Sequence, residues 1–314
     1  MHIASRDPEG ISGREIVTEP WLVLITRMGV GISRDAYYRH RIRVAELALA
    51  RSLRAQTDRS FTWVLVRDVR APAWVDHELE RLATGMSFDI WKRDPTVEGI
   101  NPVDRPAVRA MIAQRPTILS RCDDDDFLHR SYVSRTRREL TGRTPPSAVT
   151  FVQGGYLFGT EVYRKRYPWF TAGLAVLPDE RAHITPYLFN HPSFGREMRR
   201  KGFEAREIRN THPMWLRTVS ATSDSASRRR LRPHFWQRPA SVDLGEFGAT
   251  DDSIALLART LAMAPVSRNA QPGRSLLAQK WALAQQIRTI RKTPVPSAED
   301  EAEIQRLTSA LYDL

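Results

Sequence analysis

The chain has 314 residues, 41% of them hydrophobic and eight of them Trp, with a formal net charge of +12. That composition supports a sizeable core and excludes global disorder, and the single cysteine, Cys122, excludes an intramolecular disulfide and a cysteine-based zinc site. No apolar run approaches the roughly 20 residues of a membrane span, and the polar stretch Met1 to Glu19 lacks the apolar core of a signal peptide, so a soluble, cytoplasmic protein is expected.

The basic excess is dominated by Arg and gives a pI near 10.4. Nucleic acid, an anionic membrane surface or a phosphorylated substrate are all compatible with it. Only Arg228, Arg229, Arg230 and Arg232 form a compact cluster, so no dedicated nucleic-acid surface is expected.

In chain order, Trp21 to Thr26 is a short apolar run of the kind buried on both faces of a parallel sheet. A polar, glycine-containing stretch, Arg27 to Asp35, follows. The segment Tyr38 to Ala55 places Ile42, Ala45, Leu49 and Leu53 at helical spacing, with arginines on the other faces. Phe61 to Val66 is a second buried strand, Pro72 opens a helix to about Leu82, and Phe88 to Trp91 is a short third strand. The turn-rich loop Asp94 to Pro106 leads to a helix at about Ala107 to Ala113, and Thr117 to Cys122 completes the rhythm as a fourth strand. Strands alternating with helices predict an α/β fold with a mostly parallel sheet flanked by helices.

Four consecutive acids, Asp123 to Asp126, come next, ahead of a predicted helix from Phe127 to Leu140. Four like charges that close belong either in open water or around a cation. Alternation along an extended segment points Asp123 and Asp125 one way and Asp124 and Asp126 the other, and a same-side carboxylate pair suits Mg²⁺ or Mn²⁺. Asp126 stands where an N-cap is needed. Ligands of open α/β sheets bind outside the carboxyl ends of the strands, where Thr26, Arg27, Asp68 and the acid run all fall, which favours the cation over a solvated turn. Cys122, beside the acids, reads as a packed strand residue rather than a nucleophile.

Beyond Leu140, Val149 to Phe151 and Tyr156 to Phe158 read as two strands around the Gly154-Gly155 turn, an antiparallel addition to the sheet. Tyr167 to Ser220 is proline-rich and irregular, with His183, His191 and His212, as stretches covering active sites often are. Ser223 to Arg232 looks like an exposed linker. The tail that follows is helical, with Ile254, Leu257 and Leu261, then Leu276, Leu283, Ile287 and Ile290, and a last helix opened by Ser297-Ala298-Glu299-Asp300 and carrying Ile304, Leu307 and Leu311. Its amphipathic segments are expected to pack on the body; pairing between subunits or lying on the inner face of a membrane are the alternatives. The chain thus divides into an N-terminal extension 1–20, a catalytic unit 21–222 and a linker with helical tail 223–314.

The stretches Ile25-Thr26-Arg27, Ser52-Leu53-Arg54-Ala55-Gln56-Thr57, Phe61-Thr62-Trp63 and Arg121-Cys122-Asp123-Asp124-Asp125-Asp126 resemble the putative rhamnosyltransferases, bacterial glycosyltransferases with a GT-A fold. The resemblance covers roughly Trp21 to Ser220. It implies a GT-A-like, nucleotide-sugar-binding domain that moves a sugar from a UDP- or dTDP-linked donor to the hydroxyl of a glycan or lipid-linked acceptor, in surface polysaccharide or glycoconjugate synthesis, with Mn²⁺ or Mg²⁺. Asp123-Asp124-Asp125 then corresponds to the DXD-type motif. Asp125 is the main metal ligand, Asp123 lies nearer the ribose or shares the metal, and Asp124 joins the nucleotide-binding set as the member expected to tolerate replacement best. Thr26, Arg27 and Asp68 are placed to meet the nucleotide, although Asp68 reads equally as a strand-end turn residue. The chain departs from the family pattern after Trp215-Leu216, where Ser220 and Asp224 stand in place of a His and an Asn, so a histidine ligand is sought in His191 or His212. An inverting reaction requires a carboxylate base, for which Asp179 and Glu180 are the candidates. A nucleotidyltransferase on the same fold and a basic nucleic-acid-binding protein with an incidental acidic turn are the competing readings.

Overall fold

The computed structural model describes residues 19–29, 32–94, 106–179, 185–186, 193–219, 240–262, 297, 299–303 and 306. Its centre is a seven-stranded mixed sheet of order β10-β6-β9-β4-β1-β2-β3. The strands are β1 (Trp21–Met28), β2 (Phe61–Asp68), β3 (Phe88–Arg93), β4 (Thr117–Arg121), β6 (Ser147–Phe151), β9 (Leu174–Leu177) and β10 (Glu204–Ile208). Six run parallel, and β9 lies antiparallel between β4 and β6. The expected class, α/β with a mostly parallel sheet flanked by helices, is the one observed.

The apolar runs become central strands because both sheet faces are covered. On one face Leu22, Leu24, Trp63, Leu65 and Ile118 pack with Ile42, Ala45 and Leu49 from α1 (Asp35–Leu47) and α2 (Leu49–Arg54), with Val75, Leu79 and Leu82 of α3 (Trp74–Leu82), and with Tyr132, Val133 and Leu140 of α5 (Tyr132–Leu140). The alternate residues Val23, Ile25, Val64, Val66 and Leu119 meet Val108 of α4 (Pro106–Gln114) on the other face. The crossover β1-α1-α2-β2 leaves β1 between β2 and β4, so the strand order reverses direction there. Such a switch point opens a crevice at the carboxyl ends of the two strands.

A second sheet, of order β5-β11-β7-β8, contains β5 (Phe127–Leu128), β7 (Gln153–Phe158), β8 (Glu161–Arg166) and β11 (Trp215–Val219). This corrects three expectations. Phe127 and Leu128 form β5 rather than a helix start, and α5 begins at Tyr132, because Phe127 is drawn into pairing with Leu216 and into an apolar cluster with Leu157 and Val162. Val149–Phe151 and Tyr156–Phe158 are not a hairpin, since β6 joins the large sheet and β7 the small one. Within the stretch expected to be irregular, β9, β10, β11 and α6 (Phe194–Arg200) are all regular.

Gly154 is explained by packing rather than by turning or by a ligand. A Cβ at Gly154 would stand 2.1 Å from the indole of Trp215, the buried wedge between the sheets. Trp215 donates Nε1–H to the Phe151 carbonyl at 2.9 Å and packs its ring 4.4 Å from that of Phe170.

The tail does pack on the body over α7 (Asp251–Ala262), whose Ile254, Leu257 and Leu261 join Val44 and Leu47 of α1 and Phe127, Leu157 and Leu216 of the small sheet. Ser297 and Asp300 exchange the reciprocal hydrogen bonds of a capping box, Ser297 N–H to the carboxylate at 2.9 Å and Asp300 N–H to the hydroxyl at 3.1 Å. The Arg228 to Arg232 cluster and Leu276, Leu283, Ile287, Ile290, Ile304, Leu307 and Leu311 lie outside the described residues. Among the described residues no helix is long and apolar enough to cross a membrane.

Gly154→Ala is expected to destabilise the protein by at least about 1–3 kcal/mol, the usual cost of overpacking a core, because neither the indole nor the strand can yield freely. A lowered urea midpoint at unchanged slope would register this; an unchanged midpoint would remove Trp215 as the wedge between the sheets.

Candidate active site

At the end of β4 the Cys122 N–H donates to the Ile25 carbonyl at 3.3 Å, and the Asp126 N–H donates to the Asp123 carbonyl at 3.1 Å. The second bond closes a tight turn with Asp124 and Asp125 at its centre. The acid run is therefore not extended, and the expected alternation fails. Asp124 and Asp125 both face Arg41 of α1: Arg41 Nε donates to Asp124 Oδ2 at 2.8 Å, Nη2 bonds Asp124 Oδ1 as the second arm of a fork, and Nη1 reaches Asp125 Oδ2 at 3.5 Å. Asp126 caps no helix. Its Oδ1 accepts the Thr218 N–H of β11 at 3.1 Å, pinning the turn to the small sheet. Asp123 is the most open of the four, its side chain 43% exposed, with Arg121 Nη2 at 3.2 Å.

Burial pushes Asp124 up to about 6, with Arg41 pulling against it and Asp125 and Asp123 adding to the rise. Burial also drives Asp126 well above the carboxylate range, helped by Asp125 and Asp123. Asp123 goes the other way, because Arg121, Arg27 and Arg217 together outweigh its burial and hold it below the usual value. Arg41 keeps its proton against burial because Asp124 and Asp125 face it. Four arginines from β1, α1, β4 and β11 thus surround four carboxylates. Cys122 is fully buried beneath them, and burial together with the neighbouring acids raises its thiol far above the reactive range, in keeping with a packed strand residue.

The charge that Asp125 and Asp123 still impose on buried Asp126 is what a divalent cation relieves, and carboxylate oxygens with a solvent-facing member suit Mg²⁺ or Mn²⁺. Asp123 and Asp125 are the carboxylates of this turn that would hold such an ion, and each also faces an arginine, Arg121 and Arg41. Among the described residues no three His, Cys, Asp or Glu side chains gather in a metal-binding group. His212 does not complete one: its ring lies 4.8 Å from that of His129, tilted by 36°, and Arg135 Nη1 lies 3.4 Å from its Nε2. His191 and Glu180 lie outside the described residues.

The other expected site residues divide. Arg27 is at the crevice and acts electrostatically on Asp123. Thr26, expected to meet nucleotide, has no exposed surface and its hydroxyl accepts the Trp63 indole N–H at 3.0 Å, so it ties β1 to β2 instead. Asp68 is also fully buried; its Oδ1 accepts the Arg70 N–H at 2.8 Å and Arg70 Nε at 3.0 Å, which is the strand-end turn arrangement. Asp179 is misplaced for a base. It follows antiparallel β9, where Ser120 pairs with Ala175, so it lies at the opposite end of the sheet, on the order of 20 Å from the acid turn at about 3.3 Å per residue.

Arg41, Arg121 and Arg217 were not singled out from the sequence. The signal for Arg41 was present: it sits three residues after buried Tyr38 and four before buried Ala45, on the apolar stripe of α1 rather than on the other faces. The one hydroxyl proton of Tyr38, on that stripe, is shared between the Ile32 carbonyl at 3.0 Å and that of Gly29 at 3.2 Å, tying these two residues to α1. Gly29 needs its positive φ of 65°, and a Cβ there would stand 2.9 Å from the Tyr38 hydroxyl. A separate open groove lined by Arg43, Arg51, Arg54 and Leu256 lies between α1, α2 and α7 and shares no residue with the aspartate turn.

The Arg41 fork makes Asp124 the anchor of the turn, the reverse of the tolerance expected from alternation. Arg41→Met and Asp124→Asn should each cost about 3–5 kcal/mol, since each strands a buried partner, and the double variant should cost less than the sum of the two. Urea denaturation of the three proteins measures this; additive losses would mean that the pair does not act as a unit.

His129 supplies a pH test away from the acids. Its Nδ1 accepts the Ser131 N–H at 3.1 Å, leaving Nε2–H to donate to Glu246 at 3.2 Å, and burial, with His212, Arg130 and Arg135 nearby, lowers its pKa to about 4. The close carboxylate does not make this an ion pair at neutral pH, because burial and the surrounding cations outweigh it. A group whose folded pKa lies below its unfolded value stabilises fully above about 6.5 and loses that contribution as pH falls towards 4. His129→Asn should flatten the fall of the thermal midpoint across that window; a parallel profile would place the titration elsewhere.

No curated protein matches the chain. Among solved structures, a cytidylyltransferase from Leptospira borgpetersenii serovar Hardjo-bovis (strain JB197) is similar over 62% of this chain and 76% of its own, at 12% identity and a TM-score of 0.35. HddC from Yersinia pseudotuberculosis is similar over 60% and 90%, at 12% identity and a TM-score of 0.33. The family model described as putative rhamnosyl transferase matches residues 32–231, a span that contains Arg41, the aspartate turn and β11. That match takes in more than half of the sequence, and the chain belongs to the putative rhamnosyl transferase family.

Proposed function

We propose that the protein is a metal-dependent glycosyltransferase that moves a sugar from a nucleoside diphosphate donor to the hydroxyl of a glycan or lipid-linked acceptor, within a catalytic unit spanning about residues 21–222. The observation that carries the reading is the aspartate turn at the carboxyl ends of β1 and β4, where the sheet reverses its strand order, inside the span matched by the family. Asp123 and Asp125 are the residues that would hold Mn²⁺ or Mg²⁺. When bound, the cation neutralises the charge developing on the leaving diphosphate.

The chain's own groups complete the arrangement. Arg27, Arg121 and Arg217 bring three guanidinium charges close enough to Asp123 to hold its pKa down, and donor phosphates would share them. Arg41 keeps Asp124 and Asp125 in register, and Thr218 holds Asp126, so the turn is rigid before any ligand arrives. Preorganisation of this kind is what makes electrostatic stabilisation effective.

Titration calorimetry with UDP and dTDP in the presence of Mn²⁺ tests the reading. Nucleotide binding should require the metal and weaken by at least about tenfold in Asp125→Asn, the order of loss that follows damage to a metal site. Binding to DNA or RNA that falls steeply with salt, together with no affinity for either nucleotide, would replace the transferase with the nucleic-acid reading.

A further inference from the structure

The antiparallel register of β7 and β8 pairs Tyr156 with Tyr163 and Gly154 with Lys165, while the parallel register of β11 sets Arg217 beside Tyr156. Residues directly opposite one another share a face of a sheet. The same face therefore carries Trp215, Arg217, Tyr156, Tyr163 and Lys165 in sequence from the core outward. Trp215 is sealed in, whereas Arg217, Tyr156, Tyr163 and Lys165 are all half-buried.

This face adjoins the aspartate turn through β11, where the Thr218 N–H next to Arg217 donates to Asp126 Oδ1 at 3.1 Å. Arg217 lies over the Phe170 ring at 5.3 Å and acts electrostatically on Asp123. Tyr156 packs against the main core and feels both Arg217 and Asp126. The Lys165 ammonium sits 5.9 Å from the Tyr156 ring. The surface thus begins at the carboxylates where the donor would lose its sugar and ends at the edge strand β8.

The chemistry of the face is specific. Two half-exposed tyrosines offer flat apolar area with polar rims, the combination that receives one face of a pyranose ring while bonding its hydroxyls. Lys165 and Arg217 stand on the face, and Glu161 sits at its far end with the Tyr163 hydroxyl bonded to it at 2.6 Å, so the face carries two positive charges against one negative. Arg217 is partly answered by Asp123 and Asp126, so among the described residues of this face Lys165 is the cation offered to a ligand.

We infer that the Tyr156–Tyr163–Lys165 face of the small sheet is the acceptor subsite, and that it takes a pyranose bearing an anionic group, a carboxylate or a phosphate. The ring stacks on the tyrosine pair, Lys165 bonds the anion, and the hydroxyl to be glycosylated points along the sheet to the aspartate turn. This assignment rests on the glycosyltransferase reading for the word acceptor, but its sugar-binding content is independent of the donor.

Saturation-transfer NMR with methyl β-D-glucuronide, glucose 6-phosphate and neutral methyl β-D-glucoside tests it. The wild-type protein should bind one or both anionic sugars more tightly than the glucoside, and which of the two is preferred identifies carboxylate or phosphate. Lys165→Gln should weaken anionic binding about tenfold, as expected for loss of a charge-assisted hydrogen bond, and bring it to the glucoside level, with Lys165→Arg restoring the preference. Tyr163→Ala should abolish binding of all three. Equal binding of neutral and anionic sugars, no binding by wild type, or binding untouched by Lys165→Gln and Tyr163→Ala would each overturn the assignment. Calorimetry with UDP and with dTDP in the presence of Mn²⁺ on the same variants, expected to match wild type, both controls for folding and separates the two readings: sugar binding without affinity for either nucleotide would sink the transferase and leave the subsite standing.

Discussion

The bond between Arg41 and Asp124 is the constraint around which the rest of the site is arranged. It joins the first helix after β1 to the turn after β4, two segments that the strand order places on either side of the switch point. Both partners are nearly sealed from water, with side chains 14% and 3% exposed. At that burial neither charge is tolerable alone, and the fork geometry of a guanidinium on a carboxylate satisfies both. The pair does little for net stability compared with apolar residues of similar volume, but it fixes where the aspartates point. With Asp124 committed inward, Asp123 is left toward solvent and Asp126 toward β11.

The turn is also where the chain passes from one sheet to the other. β4 belongs to the large sheet and β5 to the small one, with only Cys122 to Asp126 between them. Trp215 makes the same junction from the other side, lying across Gly154 and bonding the last carbonyl of β6. A carboxylate cluster and a tryptophan wedge thus secure one seam by different physics. The first is directional and electrostatic; the second is apolar area with a single hydrogen bond. The aspartate turn lies on that seam, with Arg41 reaching it from α1 and Thr218 and Arg217 from β11 of the small sheet.

Much of the scaffold was legible because period and burial agree. Trp21–Met28 and Phe61–Asp68 read as buried strands from their continuous apolar runs, and Ile42, Ala45, Leu49 and Leu53 marked a helical face that does pack on them. The carboxyl-end location of the acids followed from that rhythm alone. Two-residue β5 and the regular strands between Tyr167 and Ser220 were not legible, since their pairing partners are distant in sequence and their lengths are too short to show a period. Gly154-Gly155 misled for a related reason: a glycine made necessary by a tryptophan sixty residues away is locally indistinguishable from a turn.

What the sequence by itself determined is the α/β class, the concentration of carboxylate at one strand end, and a polar arginine-rich exterior, all of which are set by local period and composition. What only the tertiary structure decided is the division of labour within the run Asp123 to Asp126. Alternation along a strand would have paired Asp123 with Asp125 and made Asp124 expendable; the turn instead gives Asp124 to Arg41, Asp126 to Thr218 and leaves Asp123 outermost. Thr26 and Asp68 are likewise buried and bonded within the fold, and Asp179 follows β9, which runs antiparallel, away from the acid turn. The physical reason is common to all of them. A side chain's direction is fixed by backbone dihedrals and by partners supplied from remote segments, and neither is written in the residues next to it.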